Sequence, residues 1–251
     1  MNSIPNHIAF IMDGNRRWAK AHKLEMLFGH DKGAHQIEPL VEYASKQGVK
    51  FVTFWAFSTE NWQRTEQEVA VLMEVFRRMF KDPMVDRMKK NDVKFGVIGD
   101  ISKFPQDIQD DLTKLLDETR DNKKITVTIA LNYGGRDELL QAVNVLVIAS
   151  KAKQSHEIEE TIRGHHVNDT PRDDNRIISE DEFGQFLYTK DIPDPDFLIR
   201  TGGEKRTSGF LPWQIVYAEL YFTDTLWPDF DEEELQKALD DYTSRERRFG
   251  K

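Results

Sequence analysis

Residues 7–20 read HIAFIMDGNRRWAK. The run from His7 to Met12 carries no acidic or basic residue apart from the opening histidine, and it reads as a strand buried on both faces. It ends in a carboxylate, Asp13, followed by Gly14, Asn15, the guanidinium groups of Arg16 and Arg17, and Trp18. Strands covered on both faces belong to parallel sheets flanked by helices, and ligands gather at the carboxyl ends of such strands.

The same alternation continues along the chain. Residues 30–47 predict a helix with Ile37, Leu40, Val41 and Ala44 on one face and Gly48 as its stop. Residues 49–57, VKFVTFWAF, predict a strand. Residues 65–68, TEQE, form a capping box ahead of Val69, Leu72, Met73, Phe76 and Phe80 at helical spacing. Further strands are expected at 93–99, 125–131 and 196–201. Further helices are expected around Ile108–Leu116, at 136–150 and at 232–248. This is an α/β pattern: one domain over 1–251, with a twisted, mostly parallel sheet of about six strands between helices. The polar stretch 164–176 reads as an exposed loop. Its pair His165–His166 has no third ligand at metal-site spacing.

The whole chain narrows the possibilities. It has 251 residues, a net charge of -9 and no cysteine. The charge disfavours nucleic acid as a partner, and the lack of cysteine removes disulfides, thiolate metal sites and a cysteine nucleophile. No apolar run is long enough to span a bilayer, and the first residues do not read as a signal peptide, so a cytoplasmic protein is expected.

Three predicted strands end in polar clusters: DGNRRW (13–18), STENWQR (58–64) and RTGGEKRTS (200–208). Together they bring Arg16, Arg17, Arg64, Arg200 and Arg206, the hydroxyls of Ser58, Thr201 and Ser208, and backbone N–H groups around Gly14, Gly202 and Gly203. Guanidinium forks and glycine-rich turns suit a polyanion such as diphosphate. Two roles for Asp13 stay open. It caps the following helix, or it meets the phosphates through a hard cation such as Mg²⁺. The chain has no Walker A loop and no dinucleotide fingerprint. NYGGR (132–136) reads as a turn. The apolar residues around the second cluster, among them Phe54, Trp55, Phe57, Trp62, Met73, Phe76 and Phe80, are core candidates, and a few of them suit the wall of a greasy tunnel.

With these residues assembled, the chain resembles the cis-prenyltransferase family, of undecaprenyl diphosphate synthase type. The resemblance rests on HIAFIMDGNRRWAK, GHDKGA, FWAFSTENWQR, NYGGR, DPDFLIRTGGEKRTSGFLPWQ and AELYFTDTLWPDF, in the family's order from residue 7 to 230, with RERRFG at 245–250. It implies repeated addition of isopentenyl diphosphate to an allylic diphosphate, usually farnesyl diphosphate, with Mg²⁺ as cofactor. It also implies a homodimer and peripheral membrane contact for product release. By position it implies Asp13 as the essential acid, with Gly14, Asn15, Arg16, Arg17 and His30 on the allylic diphosphate. Asn61 and Ser58, flanked by Thr59 and Glu60, belong to the loop for proton removal, and Trp18, Trp62 and Arg64 shape the site. Arg200, Arg206, Thr207 and Ser208 resemble the binders of isopentenyl diphosphate, and Glu219 resembles a second metal-associated carboxylate. The acid-rich Asp-Asp-x-x-Asp motif of helical isoprenoid synthases is absent.

The departures are local. Met26 stands where the family often has arginine, a difference of ~1.5–3 kcal/mol if that arginine clasps phosphate, and Lys20 and Lys23 are the candidates to compensate. Lys205 replaces a histidine of some relatives, and Gly209 and Pro212 alter the loop after Arg206. Ala56 is small, which suits a long product in this family. Two other classes remain from the residues alone: a non-catalytic prenyl-binding subunit, and a phosphate-ester hydrolase with Asp13 as nucleophile.

Overall fold

A computed structural model describes residues 4–162 and 177–245, with the side chains of 149–162 left aside. The chain divides into two compact units, Met1–Gly135 with Pro193–Lys251, and Arg136–Ile192.

The first unit is built on a six-stranded sheet: β1 (His7–Ile11), β2 (Phe51–Trp55), β3 (Val93–Ile98), β4 (Ile125–Ala130), β5 (Phe197–Arg200) and β6 (Glu219–Phe222). Every pairing is parallel, in the order β3-β4-β2-β1-β5-β6. All five residues of β1 are buried, as a strand covered on both faces requires. The chain runs outward from β1 on one side through β2 and then continues with β5 and β6 on the other. The strand order therefore reverses at β1, the position at which open α/β sheets place their ligands.

The helices of this unit are α1 (Asn15–Ala21), α2 (Met26–Ala34), α3 (Ile37–Gln47), α4 (Glu66–Lys81), α5 (Pro83–Lys90), α6 (Gln106–Thr119) and, after the second unit, a C-terminal helix at Glu232–Ser244. The expected capping box is present: the Thr65 side chain accepts from the Glu68 N–H, and the Glu68 side chain accepts from the Thr65 N–H. Around β1 the core is aromatic. Phe10 stacks on Phe54 with centroids 5.0 Å apart, Trp227 meets both rings edge-on, and Phe230 meets Phe10 edge-on.

The expected helix at 30–47 is two helices. The Gly33 carbonyl, which would continue the ladder, instead accepts from the Trp227 indole at 2.8 Å and from the Gln36 N–H at 3.2 Å. The side chain of Gln36 donates to the Pro228 carbonyl at 2.8 Å. Tertiary partners have taken over the bonds that a continuous helix needs. Several short elements were not foreseen, among them β6 and α5. β6 has four residues of ordinary composition, and α5 opens with Asp82 as N-cap and Pro83 in its first turn.

The second unit contains the body of a long helix, α7 (Gly135–Ile162), and the short α8 (Glu180–Gly184). Within it, buried Glu138 accepts from the Tyr188 N–H at 3.0 Å. The stretch 164–176 with His165 and His166, and residues 246–250 of the last motif, lie outside the described residues.

Candidate active site

The ends of β1 and β5 are neighbours, and the residues just past them are joined directly. Arg200 closes β5 with only 6% of its side chain exposed. Its Nη2 donates to Asp13 Oδ2 at 3.0 Å, and its Nη1 donates to the Arg206 carbonyl and to Ser208 Oγ, each at 2.7 Å. Asp13 Oδ1 faces Arg17 Nη2 at 3.1 Å. The backbone of Asp13 is held as firmly: its carbonyl accepts from Thr201 Oγ1 at 2.7 Å and from the Trp227 N–H at 3.0 Å. Asp13 is not the helix cap. Gly14 occupies that position, and no side chain caps α1.

The glycine turn after β5 departs from expectation. The N–H groups of Gly202 and Gly203 donate to the Thr225 and Thr223 carbonyls at 2.8 Å each, so they are already bonded within the protein. Gly202 serves close approach: at φ 84, a Cβ on it would stand 2.5 Å from Arg17 Nη2.

Two adjoining cavities open here, of about 340 and 380 Å³. They share Met12, Asp13, Asn15, His30 and Arg64. The second is polar and adds Gly14, Arg16 and Arg17. The first adds Ser58, Asn61, Arg200 and Ser208, and its far wall is apolar, with Ile37, Leu72, Val75, Phe76, Met79 and Trp227. The site is therefore cationic at one end and greasy at the other.

Its electrostatics favour an anion. Arg64 is half-buried and makes no ion pair among the described residues; burial first, and then Arg16 beside it, push its pKa below the ordinary arginine range. His30 is lowered to about 4 by burial, with Arg64 and Arg16 adding to the shift, so it is neutral at pH 7. Asn15 Oδ1, His30 Nε2 and Arg200 Nε are buried without hydrogen-bond partners. Orphaned polar atoms on three lining residues mark a place where a ligand completes the bonding.

Asp13 is the sole carboxylate lining either cavity, and no group of three His, Asp or Glu converges among the described residues. This does not make a cage for a metal, but it fits an ion held by one carboxylate and the oxygens of a bound phosphate.

Other residues singled out by the sequence stand back from the cavities. Trp18 donates to Asp229 at 2.7 Å and stacks on His22. Trp62 donates to Asn132 at 2.8 Å, and Thr59 sits against Gly134. Glu60 is exposed in the same turn. The Arg206 side chain pairs with Glu204, while Thr207 lends its carbonyl to the Phe210 N–H. Glu219 is not brought to Asp13. It lies at the amino end of β6, level with Phe197 and Ile8, and pairs with Arg245 at 2.8 Å. Neither Lys20 nor Lys23 lines a cavity, so neither replaces the charge missing at Met26. Of the expected tunnel residues, Trp55 and Phe76 line the cavity and Phe54, Phe57 and Met73 are core. Ala56 also lines the cavity. Leu72, Val75 and Met79 were not foreseen as lining. Helical spacing marked one apolar face on α4, without showing which part of it packs and which borders a void.

A six-stranded parallel sheet that carries a cationic pocket beside an apolar cavity suits a ligand with an anionic head and an apolar tail, and the comparisons name the family. The family model described as "Putative undecaprenyl diphosphate synthase" matches residues 11–250. The chain belongs to this prenyltransferase family. It is similar to an isoprenyl transferase of Fusobacterium nucleatum (45% identity, covering 99% of this chain and 96% of the relative) and to one of Clostridium perfringens (40%, covering 99% and 91%). Among solved structures it is similar to lavandulyl diphosphate synthase from Lavandula x intermedia in complex with dimethylallyl diphosphate, at TM-score 0.86 and 35% identity over 99% of both chains. A probable undecaprenyl diphosphate synthase of Campylobacter jejuni matches at TM-score 0.75 and 28% identity over the full length of both.

Proposed function

We propose that this chain is a Mg²⁺-dependent cis-prenyltransferase. It adds isopentenyl diphosphate units to an allylic primer, farnesyl diphosphate, and makes a long-chain polyprenyl diphosphate such as undecaprenyl diphosphate, the carrier lipid of cell-wall synthesis. The observation that carries this reading is the two-natured cavity, with Arg64, which makes no ion pair among the described residues, neutral His30 and Arg16, paired with Glu68 at 2.6 Å, at one end and Leu72, Val75, Phe76 and Met79 at the other. A charged head and an apolar tail fit it together.

In this reading the allylic diphosphate lies on Gly14, Asn15, Arg16, Arg17, His30 and Arg64. Asp13, the sole carboxylate lining either cavity, would hold Mg²⁺ together with oxygens of the diphosphate. Bound there, Mg²⁺ would neutralise charge on the departing diphosphate. The allylic C–O bond breaks, the isopentenyl double bond supplies the electrons for the new C–C bond, and a proton leaves to form the cis double bond. Asn61 and Ser58 sit where that proton is lost. Arg200 holds isopentenyl diphosphate with Ser208, Thr207 and Arg206. Glu219, paired with Arg245, is given no part in the metal site of a single chain.

The full chain, 1–251, works as one catalytic domain, because the family match runs over residues 11–250. A second copy would cover the exposed Leu140, Val143 and Ile148 of α7, giving a homodimer. No helix among the described residues is long and apolar enough to cross a membrane, so product release would need only peripheral contact from the cytoplasm. The net charge of -9 supports no nucleic-acid partner.

The test is incubation of the purified protein with labelled isopentenyl diphosphate and farnesyl diphosphate, with Mg²⁺ or with a chelator, followed by sizing of the products. Long chains that vanish with chelator are expected. Absence of incorporation by folded protein would overturn the proposal.

A further inference from the structure

Residues 132–136, NYGGR, follow β4, and none of them lines a cavity. Their contacts nevertheless form a seat beneath the turn at 58–63. Asn132 is 2% exposed and holds a left-handed backbone, φ 47. Its Oδ1 accepts from the Trp62 indole at 2.8 Å, and its Nδ2 donates to the Asp100 carbonyl at 2.7 Å. One side chain thus ties the loop after β3 to the turn after β2. The Tyr133 carbonyl accepts from the Trp55 indole at 3.1 Å and from the Thr59 N–H at 3.3 Å. A Cβ on Gly134 would run into Thr59 Oγ1, so only glycine lets the turn sit this close. On the upper side of the turn, Asn61 Oδ1 accepts from the Ser58 N–H at 3.0 Å, and both residues line the cavity.

Trp62 is the link between the two sides. It neighbours Asn61 in the chain, and its ring meets Phe57 and Phe104 edge-on. The Asn132 hydrogen bond is its directional contact. We infer that Asn132 is a positioning residue for the reaction: acting through Trp62, it fixes the turn that carries Ser58 and Asn61, and it serves the chemical step more than diphosphate binding. This rests on the prenyltransferase reading.

Asn132→Gly keeps the backbone conformation and removes both hydrogen bonds. Trp62→Phe removes the shared bond from its other end and keeps an aromatic ring. Each should lower kcat roughly tenfold, with the KM for farnesyl diphosphate within about threefold of wild type. The double variant should be no slower than the slower single variant. A raised KM with unchanged kcat, or fully additive effects, would overturn the inference. If Asn132→Gly does not fold, Asn132→Asp, which keeps the acceptor for Trp62, should outperform Trp62→Phe; the reverse order counts against the inference. One readout needs no turnover. Acrylamide quenching of Trp62, isolated by subtracting the Trp62→Phe counterpart, should rise in the Asn132 variant, and unchanged quenching sinks the idea. An inactive wild-type enzyme would instead count against the proposed function.

Discussion

Arg200 Nη2 donates to Asp13 Oδ2 at 3.0 Å, across the point where the strand order reverses. The arginine is nearly enclosed and the aspartate is about one-third exposed. The pair therefore does two jobs in the free protein: it neutralises a buried cation, and it holds the Asp13 carboxylate at the cavity wall.

Those jobs separate by substitution. Asp13→Asn keeps a hydrogen-bond acceptor for Arg200 and removes the charge a metal needs. It should melt between wild type and Asp13→Ala, because Arg200 keeps an acceptor but loses its counter-charge, and lose roughly a hundredfold or more in turnover. Asp13→Ala leaves the Arg200 guanidinium without this acceptor and should cost a further ~1–3 kcal/mol of stability. Thermal melting and steady-state turnover of the two variants check this, and equal activity of Asp13→Asn and wild type would remove Asp13 from the mechanism.

Arg64 sets ligand binding against stability. It is half-buried, makes no ion pair among the described residues and stands near Arg16. Arg64→Gln should stabilise the free protein by up to about 1 kcal/mol, by relieving like-charge repulsion and desolvation. The same change should weaken diphosphate binding by roughly tenfold to a hundredfold, the loss of a charge-assisted hydrogen bond. Calorimetric titration with inorganic pyrophosphate and a denaturant melt report the two effects independently.

Acid should act through two histidines. His7 is lowered to about 4 by burial, while the Pro193 carbonyl and Asp196 pull the other way. His30 is also lowered to about 4, by burial and then by Arg64 and Arg16. Both bind a proton more weakly in the folded chain than in the unfolded one, where the ordinary value is 6.5. Their contribution to stability is thus complete above the unfolded value, is lost as pH falls, and stops changing below about 4. His7→Gln should flatten the fall in unfolding free energy between these limits. Bound pyrophosphate should offset the field of Arg64 and Arg16 and raise the His30 pKa, which NMR of its ring proton would follow.

Gly202→Ala tests the turn under Arg17. The left-handed backbone alone should cost about 1–2 kcal/mol, and the new methyl stands 2.5 Å from Arg17 Nη2. Melting temperature and turnover should both fall. A fall in stability with full activity would mean that the seat of Arg17 does not matter to the reaction.

Much of this site was legible in residue order. The polar clusters after residues 12, 57 and 199 each follow a real strand of one parallel sheet, and ten of their residues line the two cavities. Capping boxes, apolar faces and strand ends are local, and local chemistry can be read from neighbours along the chain. Other assignments needed the packed molecule. Trp227 and Pro228, almost two hundred residues away, break the expected helix at 30–47 by taking Gly33 and Gln36 as partners. Gly202 and Gly203 were expected to offer N–H groups to a ligand and spend them on Thr225 and Thr223. Glu219 was grouped with Asp13, yet strand register puts it at the other end of β6 beside Arg245.

The sequence by itself determined the class of fold, the strand ends that carry polar chemistry, and the set of cations and hydroxyls available there. Strand and helix periods and the residue types at strand ends are written in consecutive positions. The tertiary structure alone decided which cations remain unpaired, which apolar side of α4 borders the cavity, and that Asn132 reaches Trp62. Those depend on distances between segments far apart in the chain, and hydrogen bonds and charge pairs form or fail within an ångström of such distances.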